Sequence, residues 1–217
     1  YPDRPVFLMG KSMGGAIAIL AQAREDSTAT GSVLIAPAVW GREVMPWYQR
    51  LGLEIGETVA PGMRLATGWA EAMGIRPTDD EAVMEALRED PYFLREARVD
   101  TIDGLSRLMQ DALKASSELT GPALVLYGEQ DAIIPAEPVC RMVEDLPGRE
   151  AVPWRMALYP DGYHMLTRYT GADQVHADIV AWLDDPAGAL PSGHEVDPPL
   201  VLGAVEGGVG GGGEVVR

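Results

Sequence analysis

Serine is a poor nucleophile at neutral pH, and Ser12 sits where a chain can activate one. It lies in Gly10-Lys11-Ser12-Met13-Gly14, a G-x-S-x-G pentapeptide between an apolar run and a small-residue stretch. Placed between a strand and a helix, that pattern makes a sharp turn that strains the serine backbone and exposes its hydroxyl. Glycines two residues to either side let strand and helix approach closely. The hydroxyl then stands above the carboxyl edge of a sheet, where open α/β sheets bind ligands. The N–H of Met13 falls at the helix N-terminus and is a candidate oxyanion donor. The simpler alternative is a Gly-Ser turn whose serine only caps the helix.

A serine nucleophile needs a base, and the base needs an orienting acid. The chain has three histidines. His176 falls inside an amphipathic segment and reads as a packing or surface residue. His194 lies in a Pro/Gly-rich stretch where nothing is expected to hold it. His164, in Pro160-Asp161-Gly162-Tyr163-His164-Met165-Leu166, follows an apolar run and is the candidate base. Its alternative is a solvated loop histidine. Asp131, in Gly128-Glu129-Gln130-Asp131-Ala132-Ile133-Ile134-Pro135, also follows an apolar run and is the candidate acid. Glu129 competes, but it is close enough to the strand end for its side chain to turn into the sheet packing. Asp161 competes too, but it is three residues from His164 and reads as a turn former with Gly162. Lys11 reads as an exposed side chain, and Cys140 as a core residue on a helix. No phosphate cradle, metal-ligand spacing or dinucleotide fingerprint is present, so no cofactor or metal is expected.

These residues need a scaffold that brings distant loops to one edge. Residues 5–9, 32–36, 123–127 and 154–159 are short apolar runs bounded by Pro and Gly, and read as buried strands. Between them, residues 16–23, 138–146 and 175–183 carry helical apolar spacing. Continuous apolar strands alternating with helices predict a parallel sheet covered on both faces. Residues 41–119 form a long insertion, expected to be an all-helical lid. There Thr78-Asp79-Asp80-Glu81 resembles a capping box. Ile102, Leu105, Leu108, Met109, Ala112 and Leu113 make a helical stripe. Met45, Trp47, Tyr48, Leu51, Leu53, Ile55, Met63, Leu65, Trp69 and Met73 supply apolar surface, suited to an acyl-chain pocket or, more simply, to packing on the core. The expected organisation is a core over 1–40 with the nucleophile turn, the lid over 41–119, the rest of the core with acid and base over 120–185, and a disordered Pro/Gly-rich tail over 186–217.

The chain has 217 residues and a net charge of −16, which disfavours nucleic acid and anionic membranes as partners. One cysteine cannot form an internal disulfide, which argues against an extracellular cross-linked scaffold and favours a cytoplasmic setting. No apolar run reaches the roughly 18–20 residues of a spanning helix. Seven of the 25 glycines lie between Gly203 and Gly213.

Three stretches together resemble a known family: Leu8-Met9-Gly10-Lys11-Ser12-Met13-Gly14-Gly15, Tyr127-Gly128-Glu129-Gln130-Asp131 with Ile134-Pro135, and Gly162-Tyr163-His164-Met165-Leu166. They look like the monoacylglycerol lipase and lysophospholipase group of α/β hydrolases, which is also labelled serine aminopeptidase-like. The resemblance covers roughly residues 4–183, with the lid as its least specific part. It implies an α/β-hydrolase fold, here the C-terminal part of one, with about four parallel strands, flanking helices and an inserted helical lid. It implies Ser12 as nucleophile, Asp131 as acid, His164 as base and Met13 as one oxyanion donor. The expected activity is carboxylic ester hydrolysis through an acyl-enzyme. The expected partner is a small-molecule ester or single-chain lipid, with transient contact to a lipid surface. Other reactions of the fold (peptidase, thioesterase, C–C hydrolase, acyltransferase) and a non-catalytic hydrolase-fold role remain alternatives. A dehalogenase is disfavoured because the nucleophile position holds a serine and not a carboxylate. The group often has His or an acidic residue where Lys11 stands. Its fold carries about four further strands before the nucleophile strand, with a His-Gly segment as second oxyanion donor. The chain is therefore expected to be an N-terminally truncated form, and impaired on its own.

Overall fold

The computed structural model describes residues 4–66 and 74–197. In chain order the elements are β1 (Phe7–Lys11), α1 (Met13–Gln22), β2 (Gly31–Ile35), α2 (Trp47–Val59), β3 (Arg64–Ala66), α3 (Glu81–Glu89), β4 (Glu96–Arg98), α4 (Val99–Ala115), β5 (Ala123–Gly128), α5 (Ala136–Asp145), β6 (Trp154–Tyr159), α6 (Ala172–Asp184) and β7 (Glu195–Val196). Trp69, Met73 and the glycines from Gly203 to Gly213 lie outside the described residues.

The four apolar runs become the strands β1, β2, β5 and β6, adjacent in that order and parallel. Parallel pairing aims all four carboxyl ends at one edge. Each strand alternates its side chains between two cores. Leu34, Val125, Met156 and Leu158 join Ile19 of α1, Leu113 of α4 and Met142 of α5. Val33, Ile35, Leu126 and Tyr159 join Leu166 and, from α6, Val175, Ile179 and Trp182. At one edge of the sheet lies β1, where Val6 and Met9 are more than half exposed.

The insertion is not all helical. β3 and β4 pair antiparallel, with Arg64 opposite Arg98 and Ala66 opposite Glu96. Strands of three residues are too short to show a period of two. The last helix of the insertion, α4, packs into the first core through Met109, Ala112 and Leu113. The capping box moves as well. The cap of α3 is Asp80, whose Oδ1 accepts from the N–H groups of Ala82 (2.8 Å) and Val83 (3.1 Å). Thr78 instead donates to the Arg168 carbonyl at 2.8 Å.

Within the expected tail, residues 186–197 are ordered, against expectation. β7 pairs antiparallel with β6, and Leu190 is buried. Asp178 of α6, fully buried, accepts from the Ser192 N–H (2.8 Å), the Ser192 hydroxyl and the Tyr159 hydroxyl (2.7 Å). Arg155 pairs with Glu195. This segment is pinned by polar pairs, which leave no apolar period in the sequence. His194 is held too: its Nε2 meets Gln174 Oε1 at 3.0 Å and its ring lies edge-on to Tyr159.

Candidate active site

Ser12 leaves β1 with φ 53° and ψ −120°, a left-handed backbone that side chains rarely adopt. The surrounding backbone over-determines it. The Ser12 N–H donates to the Ile35 carbonyl at 2.9 Å. Its carbonyl accepts from Gly15 (2.9 Å), Ala16 (3.2 Å) and Ala38 (2.9 Å). A Cβ on Gly10 would lie 2.1 Å from the Gly14 carbonyl oxygen, and one on Gly15 would lie 2.9 Å from Pro37. Both glycines are therefore required by close approach. Ser12 occupies the N-cap position of α1, yet its side chain makes no capping bond, so the capping alternative fails. Met13 is the first residue of α1, and its N–H is among those without an intrahelical acceptor.

The acid and base loops meet through their backbones. Gly128, at the end of β5, and Gly162, after β6, touch so closely that a Cβ on Gly128 would lie 2.2 Å from the Gly162 carbonyl oxygen. Gln130 N–H donates to that oxygen at 2.9 Å, and Glu129 N–H donates to Tyr159 at 3.0 Å. This seam brings Asp131 to His164. Asp131 Oδ2 and His164 Nδ1 are 2.8 Å apart, both side chains almost wholly buried. Asp131 Oδ1 is held by the N–H groups of Ile133 (2.8 Å) and Ile134 (3.0 Å). One oxygen is thus fixed and the other faces the ring.

The competing residues fall away. Glu129 is exposed rather than turned into the sheet packing, and Asp161 is exposed on the β6 turn. His176 is exposed on α6, and His194 is engaged by Gln174. Cys140 is buried in the first core, as its helical position implies. Lys11 departs from its expected exposure: it is half-buried, and burial pulls its ammonium pKa down, Asp131 opposing and Arg168 adding to that shift. Among the described residues no cluster of metal-ligating side chains occurs, and no helix is long and apolar enough to cross a membrane.

Sequence reasoning missed the residues that brace the base loop from the lid. Met165 N–H donates to the Pro77 carbonyl at 2.7 Å, and Thr170 N–H donates to Asp79 Oδ1 at 3.0 Å. With the Thr78 bond to Arg168, segment 77–79 is stitched along the loop that carries His164. The Thr-Asp-Asp run signalled backbone capping, but not which backbone it would cap. Met45 packs on the first core as the simpler expectation has it, but the apolar residues of α2 do not all follow. No residue of α2 is buried, and Trp47, Tyr48, Leu51, Ile55 and Val59 are 46–76% exposed.

Known proteins share this plan. The chain is 27% identical over 198 residues to the monoglyceride lipase of Mus musculus, spanning 89% of this chain and 63% of that protein. It is 27% identical over 188 residues to the monoacylglycerol lipase of Mycolicibacterium smegmatis, spanning 84% of this chain and 63% of that protein. The chain thus spans about 63% of the length of each of these relatives. Among solved structures, the monoacylglycerol lipase of Paleococcus ferrophilus superposes with a TM-score of 0.67 at 24% identity, over 83% of this chain and 68% of that one. A soluble monoglyceride lipase variant from Saccharomyces cerevisiae gives 0.64 at 22% identity, over 84% of this chain and 66% of that one. These likenesses show an α/β-hydrolase fold. Residues 1–169 match the family described as serine aminopeptidase, S33 (Hydrolase_4), and the chain belongs to that family.

Proposed function

We propose that this protein hydrolyses carboxylic esters through an acyl-enzyme on Ser12, with single-chain lipids as its substrates. The observation that carries this reading is the buried Asp131–His164 pair, 2.8 Å apart, on the sheet edge where Ser12 is held at φ 53°. Asp131, fixed by two backbone N–H groups, holds the imidazole with Nδ1 protonated and leaves Nε2 as the base. His164 takes the proton of the Ser12 hydroxyl as its oxygen attacks the ester carbonyl. The Met13 N–H at the head of α1 donates to the oxyanion. Collapse expels the alcohol, which takes the proton back from His164. Water, deprotonated by the same imidazole, then cleaves the acyl-enzyme and frees Ser12.

The lipid preference is supported by the relatives named as monoglyceride lipases and by the exposed stripe on α2. Tyr48, Leu51, Ile55 and Val59 recur at steps of three and four, which puts them on one side of the helix. An exposed apolar stripe of this kind suits transient contact with a lipid aggregate. The test is a substrate panel of monoacylglycerols, lysophospholipids, acyl thioesters and aminoacyl amides. Fastest turnover of the two lipid esters, abolished in Ser12→Ala, is the expected result. Faster cleavage of the amides or thioesters would overturn the lipid-ester reading.

A further inference from the structure

Three consecutive residues of the insertion are bonded in turn to three residues of the loop just beyond His164. The Pro77 carbonyl accepts from the Met165 N–H at 2.7 Å. The Thr78 hydroxyl donates to the Arg168 carbonyl at 2.8 Å. The Asp79 carboxylate accepts from the Thr170 N–H at 3.0 Å and from the Thr170 hydroxyl. Thr78 is fully buried, and a buried hydroxyl is committed to its partners. Its Oγ1 also accepts from the Asp80 N–H at 3.2 Å, and Asp80 caps α3. One hydroxyl thus ties the start of α3 to the base loop. The Asp131 contact at 2.8 Å orients the His164 ring, but it does not fix how far Nε2 stands from Ser12. That distance depends on where the loop backbone lies. On the sheet side the backbone is held by Gly162 against Gly128 and by Leu166, fully buried in the second core. On the insertion side it is held by residues 77–79.

Resting on the Ser12–His164–Asp131 reading, we infer that Thr78 and Asp79 are positioning residues, which hold the base loop so that the His164 imidazole stands within reach of Ser12. They act through the loop backbone and not on the reacting atoms. Thr78 carries the larger share, because its bond is buried and lies four residues past His164. Asp79 is half-buried and acts six residues past His164, through Thr170. The base is then placed from two sides by distant parts of the chain, the core on one and the insertion on the other. Proton transfer needs the reacting atoms at close range, and a shift of about 1 Å can cost about a hundredfold in rate. A loss of this kind falls on kcat and leaves KM nearly unchanged, since ground-state binding is untouched.

The test compares four variants on a short soluble ester, with folding checked by circular dichroism. Thr78→Val keeps the shape and loses the donor, whereas Thr78→Ser keeps the donor. Asp79→Ala releases Thr170. Asp80→Ala removes the two capping bonds of α3 and leaves the bonds to the base loop in place. Thr78→Val is expected to lose about ten- to a hundredfold in kcat with little change in KM. Asp79→Ala should lose less, and Thr78→Ser and Asp80→Ala should stay close to wild type. Wild-type kcat in a folded Thr78→Val overturns the inference. If that variant does not fold, wild-type kcat in Asp79→Ala overturns it. An equal loss in Asp80→Ala also overturns it, because the stability of α3 and not the place of the base would then be the cause. A second readout needs no turnover: the downfield NMR signal of the proton between His164 Nδ1 and Asp131. It should be sharp in the wild type and in Thr78→Ser, and shifted or broadened in Thr78→Val. If the wild type cleaves no ester, the proposed activity falls and this signal decides alone, a change supporting the positioning role and no change overturning it.

Discussion

The carboxyl edge of the sheet and helix α2 are built by opposite rules. At the edge, backbone touches backbone: Gly10 against Gly14, Gly15 against Pro37, Gly128 against Gly162. The result holds one serine in an unfavourable conformation and two buried side chains at 2.8 Å. In α2 no residue is buried, and Trp47, Tyr48, Leu51, Ile55 and Val59 are exposed. The edge is organised for fixed geometry, whereas α2 leaves apolar surface exposed, which the proposed function assigns to lipid contact. A strained nucleophile persists only where its surroundings over-determine it. A surface that meets variable lipid aggregates needs apolar area more than fixed geometry.

That contrast can be broken or sharpened by substitution. The largest effect is expected at the edge. Asp131→Asn keeps the shape but no longer holds His164 in the working tautomer, and kcat for ester hydrolysis should fall by about 10⁴. A fall below tenfold, measured by steady-state kinetics on a folded variant, would mean that Asp131 does not orient the base. Next comes the second core. Trp182→Ala empties a fully buried site where α6 packs on Phe7 of β1. It should cost about 3–5 kcal/mol in denaturant unfolding. A third, smaller effect is expected in the lid at Asp80. Asp80→Ala removes two capping bonds from α3 and should cost about 1 kcal/mol by the same measurement.

The smallest stability effect falls on α2. Ile55→Ser should change unfolding free energy by less than about 0.5 kcal/mol. Its KM should rise for an aggregated monoacylglycerol and not for a short soluble ester. A large loss of stability at Ile55 would show that α2 is packed like the core and would erase the contrast.

The contrast also explains which parts were legible in the sequence. The four parallel strands could be read because strands buried on both faces are continuous apolar runs. Ser12, Asp131 and His164 could be proposed as a set because each follows such a run, in the chain order of the fold. Of the acid competitors, Glu129 was expected to turn into the sheet packing and is exposed instead, because the chain turns away from the sheet directly after Gly128. Other features carry no signal of adequate length. β3, β4 and β7 have two or three residues each, and the ion pairs beside them, Arg64–Glu96 and Arg155–Glu195, are ordinary charges in a sequence. Thr78 and Asp80 both fit a helix start, and the nearer one won. The exposure of α2 was invisible because periodicity shows which residues share a face and not what covers it. The half-burial of Lys11 was invisible for a related reason: spacing does not show what covers a side chain.

The most direct measurement of the central claim is labelling of the folded protein with a fluorophosphonate probe, followed by peptide mass spectrometry. An activated serine attacks the phosphorus and keeps the adduct, whichever ester is the natural substrate. The account predicts one adduct, on the peptide that contains Ser12, lost in Ser12→Ala and strongly slowed in His164→Ala. An unlabelled Ser12 in the folded protein, or labelling unaffected by loss of His164, would contradict it.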